Sequence, residues 1–183
     1  MRIFIALELN ENAIEEIKRI QKIIKKENEK KNFFYGKFTE PQNLHLTLKF
    51  LDEIEEKEIQ KIDFLLNEIK MKSFYAEINE IGVFSKNFIK IIWLKLEGEK
   101  VFELQKEIDH KLADLFEPER RFMSHITIAR IKKVNDKNGL LKFLNDLKIN
   151  KTNFQVKKFF LKKSELFSEG PFYETLKEYY LLN

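Results

Sequence analysis

The chain has 183 residues, 43% hydrophobic, 35% charged and 13% aromatic, a balance that excludes disorder and provides for a sizeable core. It has no cysteine and a net charge of only +4, so disulfides, thiol nucleophiles and thiolate zinc sites are ruled out, and charge alone identifies no polyanionic partner. The longest apolar run, Ile3 to Leu7, is far too short for a membrane span, and with no secretory pattern beside it the expectation is a soluble, cytoplasmic protein.

Residues 2–8 are rich enough in β-formers for a strand, and Asn10 is placed to cap a helix over 11–30. Ile14, Ile17, Ile20, Ile23 and Ile24 form that helix's single buried stripe. The stretch 32–42, with Gly36 and Pro41, reads as a loop or an irregular edge strand before a strand at 44–51. A second helical pattern covers 55–70, and strands at 72–83 and 88–97 flank a Ser-Lys-Asn turn as a hairpin. The stripe Val101, Leu104, Ile108, Leu112 and Leu115 predicts a helix over 100–116, stopped by Pro118. A strand at 124–131, a short helix at 138–148, one strand at 153–163, a Gly170-Pro171 loop and a strand at 172–181 complete the chain.

This order repeats strand, helix, strand, helix, strand, once over about 2–83 and again over about 88–163. Such a duplication implies two similar lobes about a pseudo-two-fold axis, with a cleft between them where a site tends to form.

The repeat is marked by one tetrapeptide. His45-Leu46-Thr47-Leu48 returns as His125-Ile126-Thr127-Ile128, mid-strand in the corresponding unit. With three histidines and five threonines in the chain, about 0.1 His-x-Thr matches are expected by chance. Strand alternation puts each His and Thr on one face and the aliphatic residues in the core. Two imidazoles can serve as general acid and general base, and the threonine hydroxyls can donate to anionic oxygens, a set suited to in-line phosphodiester chemistry. Three of the five arginines, Arg120, Arg121 and Arg130, lie around the second motif and could hold phosphate.

With these motifs the sequence resembles the 2H phosphoesterase superfamily, and more closely its RNA 2′,3′-cyclic phosphodiesterase family, also called 2′-5′ RNA ligases. The likeness runs from Arg2-Ile3-Phe4-Ile5-Ala6 through both motifs, with Lys49-Phe50-Leu51 and Ala129-Arg130 following them, to Ser164-Glu165-Leu166 and Gly170-Pro171-Phe172-Tyr173. It implies a two-lobed α+β fold, mainly antiparallel sheet with helices outside and a central cleft. The implied activity is hydrolysis of an RNA 2′,3′-cyclic phosphate end to a 2′-phosphomonoester, without metal or other cofactor. His45 would be the proton donor and His125 the proton acceptor, with Thr47 and Thr127 on the non-bridging oxygens. Two alternatives are ATP-independent 2′-5′ ligation of cyclic-phosphate and 5′-hydroxyl ends, and a non-catalytic RNA or nucleotide-binding module. The family often has Pro before the second motif where this chain has Ser124, implying a small local adjustment.

Arg130 is in tension with the pattern. Regular alternation puts it on the face opposite His125 and Thr127, whereas the resemblance makes it a phosphate-binding residue, which a bulge would allow. Arg120 and Arg121 read as solvated loop residues that steer RNA, His110 as a surface residue, and Trp93 and Phe84 as core. Tyr173 reads equally as a packed tyrosine or a residue of the cleft. No metal ligands, obligate protein partner or oligomer are indicated, so a monomer acting on RNA or a cyclic nucleotide is the expectation.

Overall fold

Asn10 starts the first helix as the sequence predicts, its Oδ1 accepting from the Ala13 amide at 2.9 Å; the helix ends at a left-handed Asn32, one of the few non-glycine types that tolerates that conformation. The computed structural model describes residues 1–168 and 170–183. Its elements are β1 (Arg2–Glu8), α1 (Glu11–Lys31), β2 (Phe34–Phe38), a 3-10 turn (Pro41–Asn43), β3 (His45–Glu53), α2 (Glu56–Asn67) and β4 (Phe74–Val83). They continue with β5 (Ile91–Glu97), α3 (Glu99–Lys111), β6 (His125–Val134), α4 (Lys137–Asp146), β7 (Thr152–Val156), β8 (Lys158–Leu166) and β9 (Pro171–Tyr180).

The strands form a curled antiparallel sheet in the order β7-β4-β5-β6-β3-β1-β8-β9, with β2 alongside β6. The fold is mixed α+β with two lobes, as expected, one built on β1, β3, β8 and β9 and the other on β4, β5, β6 and β7 with β2. The lobes join where the two motif strands meet, at the single antiparallel pair Leu46↔Ile126. The isoleucine stripe of α1 is buried at Ile17, Ile20 and Ile24, and that of α3 at Val101, Leu104, Ile108 and Leu112, so each helix contributes its apolar face to one continuous core.

Three expectations need correction. The strand expected over 153–163 is two strands, β7 beside β4 and β8 beside β1, with Lys157 between them. The alternation Phe154, Val156 breaks there into the run of buried residues Phe159 to Lys162, which marks the crossing from one lobe to the other. For the same reason the repeat along the chain is not the division in space: β4 of the first unit closes a short hairpin onto β5, while β8 of the second unit pairs with β1. Thirdly, α3 ends at Lys111 rather than near 116. The Asp109 carboxylate accepts from the Glu119 amide at 2.9 Å and draws the following chain back across the helix end, a path that a longer helix would block. The ambiguous stretch 32–42 contains a true strand, β2.

Candidate active site

The two motifs are built alike. In each, the histidine is partly buried, the next residue fully buried, the threonine partly buried, and the two residues after it are both buried: Leu48 and Lys49 in β3, Ile128 and Ala129 in β6. Two consecutive inward residues signal a bulge. The pairing confirms it, because Ile5↔Lys49 is followed by Ala6↔Thr47, and Ile92↔Ala129 by Trp93↔Thr127. Leu48 and Ile128 are thus the extra residues of their strands.

The bulge decides the place of Arg130. It reverses the alternation after Thr127 and returns Arg130 to the face of the motif, where its charge bears on His45, His125 and Tyr173. The same position in β3 is held by Phe50, 61% exposed, so the site is symmetric in its histidines and asymmetric in its cation.

Each imidazole is fixed from behind. His45 Nδ1 lies 2.8 Å from the Asn43 carbonyl and His125 Nδ1 lies 2.8 Å from the Met123 carbonyl; a carbonyl only accepts, so both Nδ1 atoms carry the proton. That leaves both Nε2 atoms for chemistry. The His45 Nε2 accepts from the Thr47 hydroxyl at 3.1 Å, a contact that an incoming ligand can replace. Because Leu46 pairs with Ile126 in antiparallel sense, His45 lies on the side of Thr127, and Thr47 on the side of His125. Ser124 does what proline could not: its buried hydroxyl donates to the Leu96 carbonyl, tying β6 to β5 one residue before His125.

Burial pushes His45 down to about 4 against the Asn43 carbonyl, and Lys162, Arg130 and His125 add to the fall. His125 is also lowered, first by burial and then by Arg130, with the Met123 carbonyl opposing. Both are therefore neutral at pH 7 in the ligand-free protein, and a bound anion is the natural means of charging one of them.

Aromatic rings wall the cleft. Tyr173 meets His45 edge-on at 5.1 Å and Phe4 at 5.1 Å, which places it at the cleft, and burial raises its phenol above the ordinary value. Phe84 stands edge-on to His125 at 4.7 Å and is 48% exposed, so it is a cleft residue and not the core residue expected. Trp93 is buried as expected, behind Phe84. Between the lobes a pocket of about 160 Å³ is lined by Thr47, His125, Phe84, Phe50, Met123 and Arg121. Arg121 thus borders the site itself, nearer to it than its sequence context indicated. Arg120 and His110 are exposed.

Lys162 is the residue that sequence reasoning missed. It is 7% exposed, donates to the Thr175 hydroxyl at 2.8 Å, pairs with Glu8, and lowers His45 by its charge. Its signal was a lysine directly after the apolar run Phe159-Phe160-Leu161 of β8. A second buried cation, Lys49, pairs with Asp109 at 2.5 Å and donates to the Glu117 carbonyl at 2.7 Å, anchoring the segment that carries Arg121 and Met123. Among the described residues no group of three or more His, Asp or Glu is arranged to hold a metal.

The sequence model of a family described as LigT-like phosphoesterase matches the chain twice, over residues 7–93 and 94–173. The chain belongs to that family. The chain is 37% identical over 185 aligned positions, covering 98% of it and all of the relative, to a protein of Methanocaldococcus jannaschii named RNA 2′,3′-cyclic phosphodiesterase. A Thermotoga maritima protein of the same name is 32% identical, with 97% of this chain and 94% of that one covered. Among solved structures, a Thermus thermophilus protein superposes with a TM-score of 0.80 at 25% identity, covering 98% of this chain and 97% of that one. Escherichia coli LigT, solved with 3′-AMP, has the same fold, with a TM-score of 0.75 at 20% identity over 100% of this chain and 98% of that one.

Proposed function

We propose that the protein hydrolyses RNA 2′,3′-cyclic phosphate ends to 2′-phosphomonoesters by metal-free acid/base catalysis between its two motif histidines. The observation that carries this reading is the convergence of the motifs at Leu46↔Ile126, with each Nδ1 held on a backbone carbonyl and each Nε2 left for the ligand. The names borne by the relatives supply the substrate class.

In this mechanism His125 Nε2 takes a proton from water as the water oxygen bonds to phosphorus. The bond from phosphorus to O3′ breaks, and His45, charged in the complex with the anionic phosphate, gives the proton on its Nε2 to O3′ from the opposite side. Thr47 and Thr127 donate to the non-bridging oxygens, and Arg130 balances the charge that builds on them. Tyr173 supports the His45 ring by edge contact.

The test is turnover of a nucleoside 2′,3′-cyclic phosphate in excess EDTA by wild type, His45→Ala and His125→Ala, with the product isomer identified. Formation of the 2′-phosphate by wild type alone is expected. Retained turnover in either variant, or its abolition by EDTA in wild type, would overturn the mechanism; product formation from cyclic-phosphate and 5′-hydroxyl fragments would add ligation to it.

A further inference from the structure

The bulge that turns Arg130 into the cleft is held by a side chain distant in sequence. One edge of β6 passes from β3, paired only at Leu46↔Ile126, to β2, paired from Phe38↔Ala129 onward. Ile128 sits at this changeover and is also the residue that β5 leaves unpaired. A bulged backbone needs partners for the groups it takes out of the ladder. Gln21 of α1 supplies one: its Nε2 donates to the Ile128 carbonyl at 2.9 Å and to the Thr39 carbonyl at 2.9 Å. The Thr39 amide donates to the same Ile128 carbonyl at 2.9 Å. Both hydrogens of one amide nitrogen are therefore spent on the backbones of the two segments that meet at the bulge. The fit is close, since a Cβ on Gly36 would lie 2.3 Å from the Arg130 carbonyl oxygen, so β2 presses directly on the backbone of the residue being positioned.

We propose that Gln21 is a positioning residue that stabilises the Ile128 bulge and so sets Arg130 against the two histidines. The proposal rests on the reading of Arg130 as a phosphate-binding residue. Without the amide, the Ile128 and Thr39 carbonyls lose a shared donor, and the register that returns Arg130 to the cleft loses its lock. Gln21 touches neither histidine, so its effect passes through Arg130.

The experiment compares wild type, Gln21→Met, Arg130→Ala and the double variant, with Gln21→Glu as a second variant that keeps the side-chain length and loses the donors. Two readouts are taken: turnover of a nucleoside 2′,3′-cyclic phosphate, and NMR titration of His125 without ligand. Withdrawal of the Arg130 charge should raise the His125 pKa, since Arg130 depresses it, and a general loss of stability would not do so. The expected result is a fall in kcat/KM of about tenfold for Gln21→Met, the size of one lost buried hydrogen-bonding group. His125 should move upward as it does in Arg130→Ala, and the double variant should be no worse than Arg130→Ala alone. An unchanged His125 titration in both Gln21 variants, while Arg130→Ala shifts it, would overturn the proposal, as would losses that multiply in the double variant. Absence of turnover in wild type would instead refute the functional reading, and the titration would still judge Gln21.

Discussion

Lowering the pH from about 8 to about 7 should raise kcat/KM for a nucleoside 2′,3′-cyclic phosphate by about tenfold, with the rise flattening once His125 begins to protonate. The proposed donor, His45, must be protonated, and burial with three neighbouring cationic or ionisable groups holds it near pKa 4. At pH 7 about one free molecule in a thousand carries that proton, and placing it there costs about 4 kcal/mol. The proposed base, His125, must be neutral; burial and Arg130 lower it from its ordinary value, which keeps the neutral form in excess between about pH 8 and 7. The substrate phosphate has one negative charge throughout. A charged oxygen about 4 Å from the ring offers about 4 kcal/mol at an effective dielectric near 20, which offsets the cost of charging His45 inside the complex. The rise should therefore be steep in kcat/KM, which reports the free protein, and shallow in kcat, which reports the complex. Steady-state rates between about pH 5 and 9, with NMR titration of His45 with and without a nucleoside 2′-monophosphate, check this directly. A kcat/KM that is flat or falls on acidification from about 8 to about 7, with ligand-free His45 titrating at or above about 6.5, would refute the reasoning.

Asp109→Asn should cost about 3 kcal/mol and lower Tm by about 6–12 °C, because it strands the Lys49 ammonium, 4% exposed, without its counter-charge; calorimetry reads this, and replacing both by apolar residues should recover much of the loss. A cost below about 1 kcal/mol would show that water already reaches the pair. Phe84→Ala should raise KM about fivefold or more with a smaller change in kcat, since a half-exposed ring beside His125 is placed to stack on a base and takes no part in proton transfer; an unchanged KM on cyclic nucleotides and short RNA would assign Phe84 to packing alone.

Most of the strands and helices, and the alternation of the four motif residues, were legible in the sequence, because these depend on local periodicity. His45-Leu46-Thr47 and His125-Ile126-Thr127 each alternate between cleft and core, and that pattern survives any arrangement of the rest. Asn10 capped its helix as read, for the equally local reason that an Asx side chain reaches an amide three residues on. Everything that depends on which strand lies next to which was settled by the fold in three dimensions. Alternation assigned Arg130 to the wrong face because a one-residue bulge, set by the pairing of β6 with β5 and locked by Gln21 from a helix more than a hundred residues away, inverts the count after Thr127. Phe84 and Lys162 look like ordinary residues of a strand end and a strand until the fold brings the first against His125 and the second close enough to depress His45. The end of α3 and the splitting of the strand at Lys157 were hidden too: a hydrogen bond to Asp109 from the amide of Glu119, past the helix end, and a change of neighbouring strand leave little trace in local periodicity.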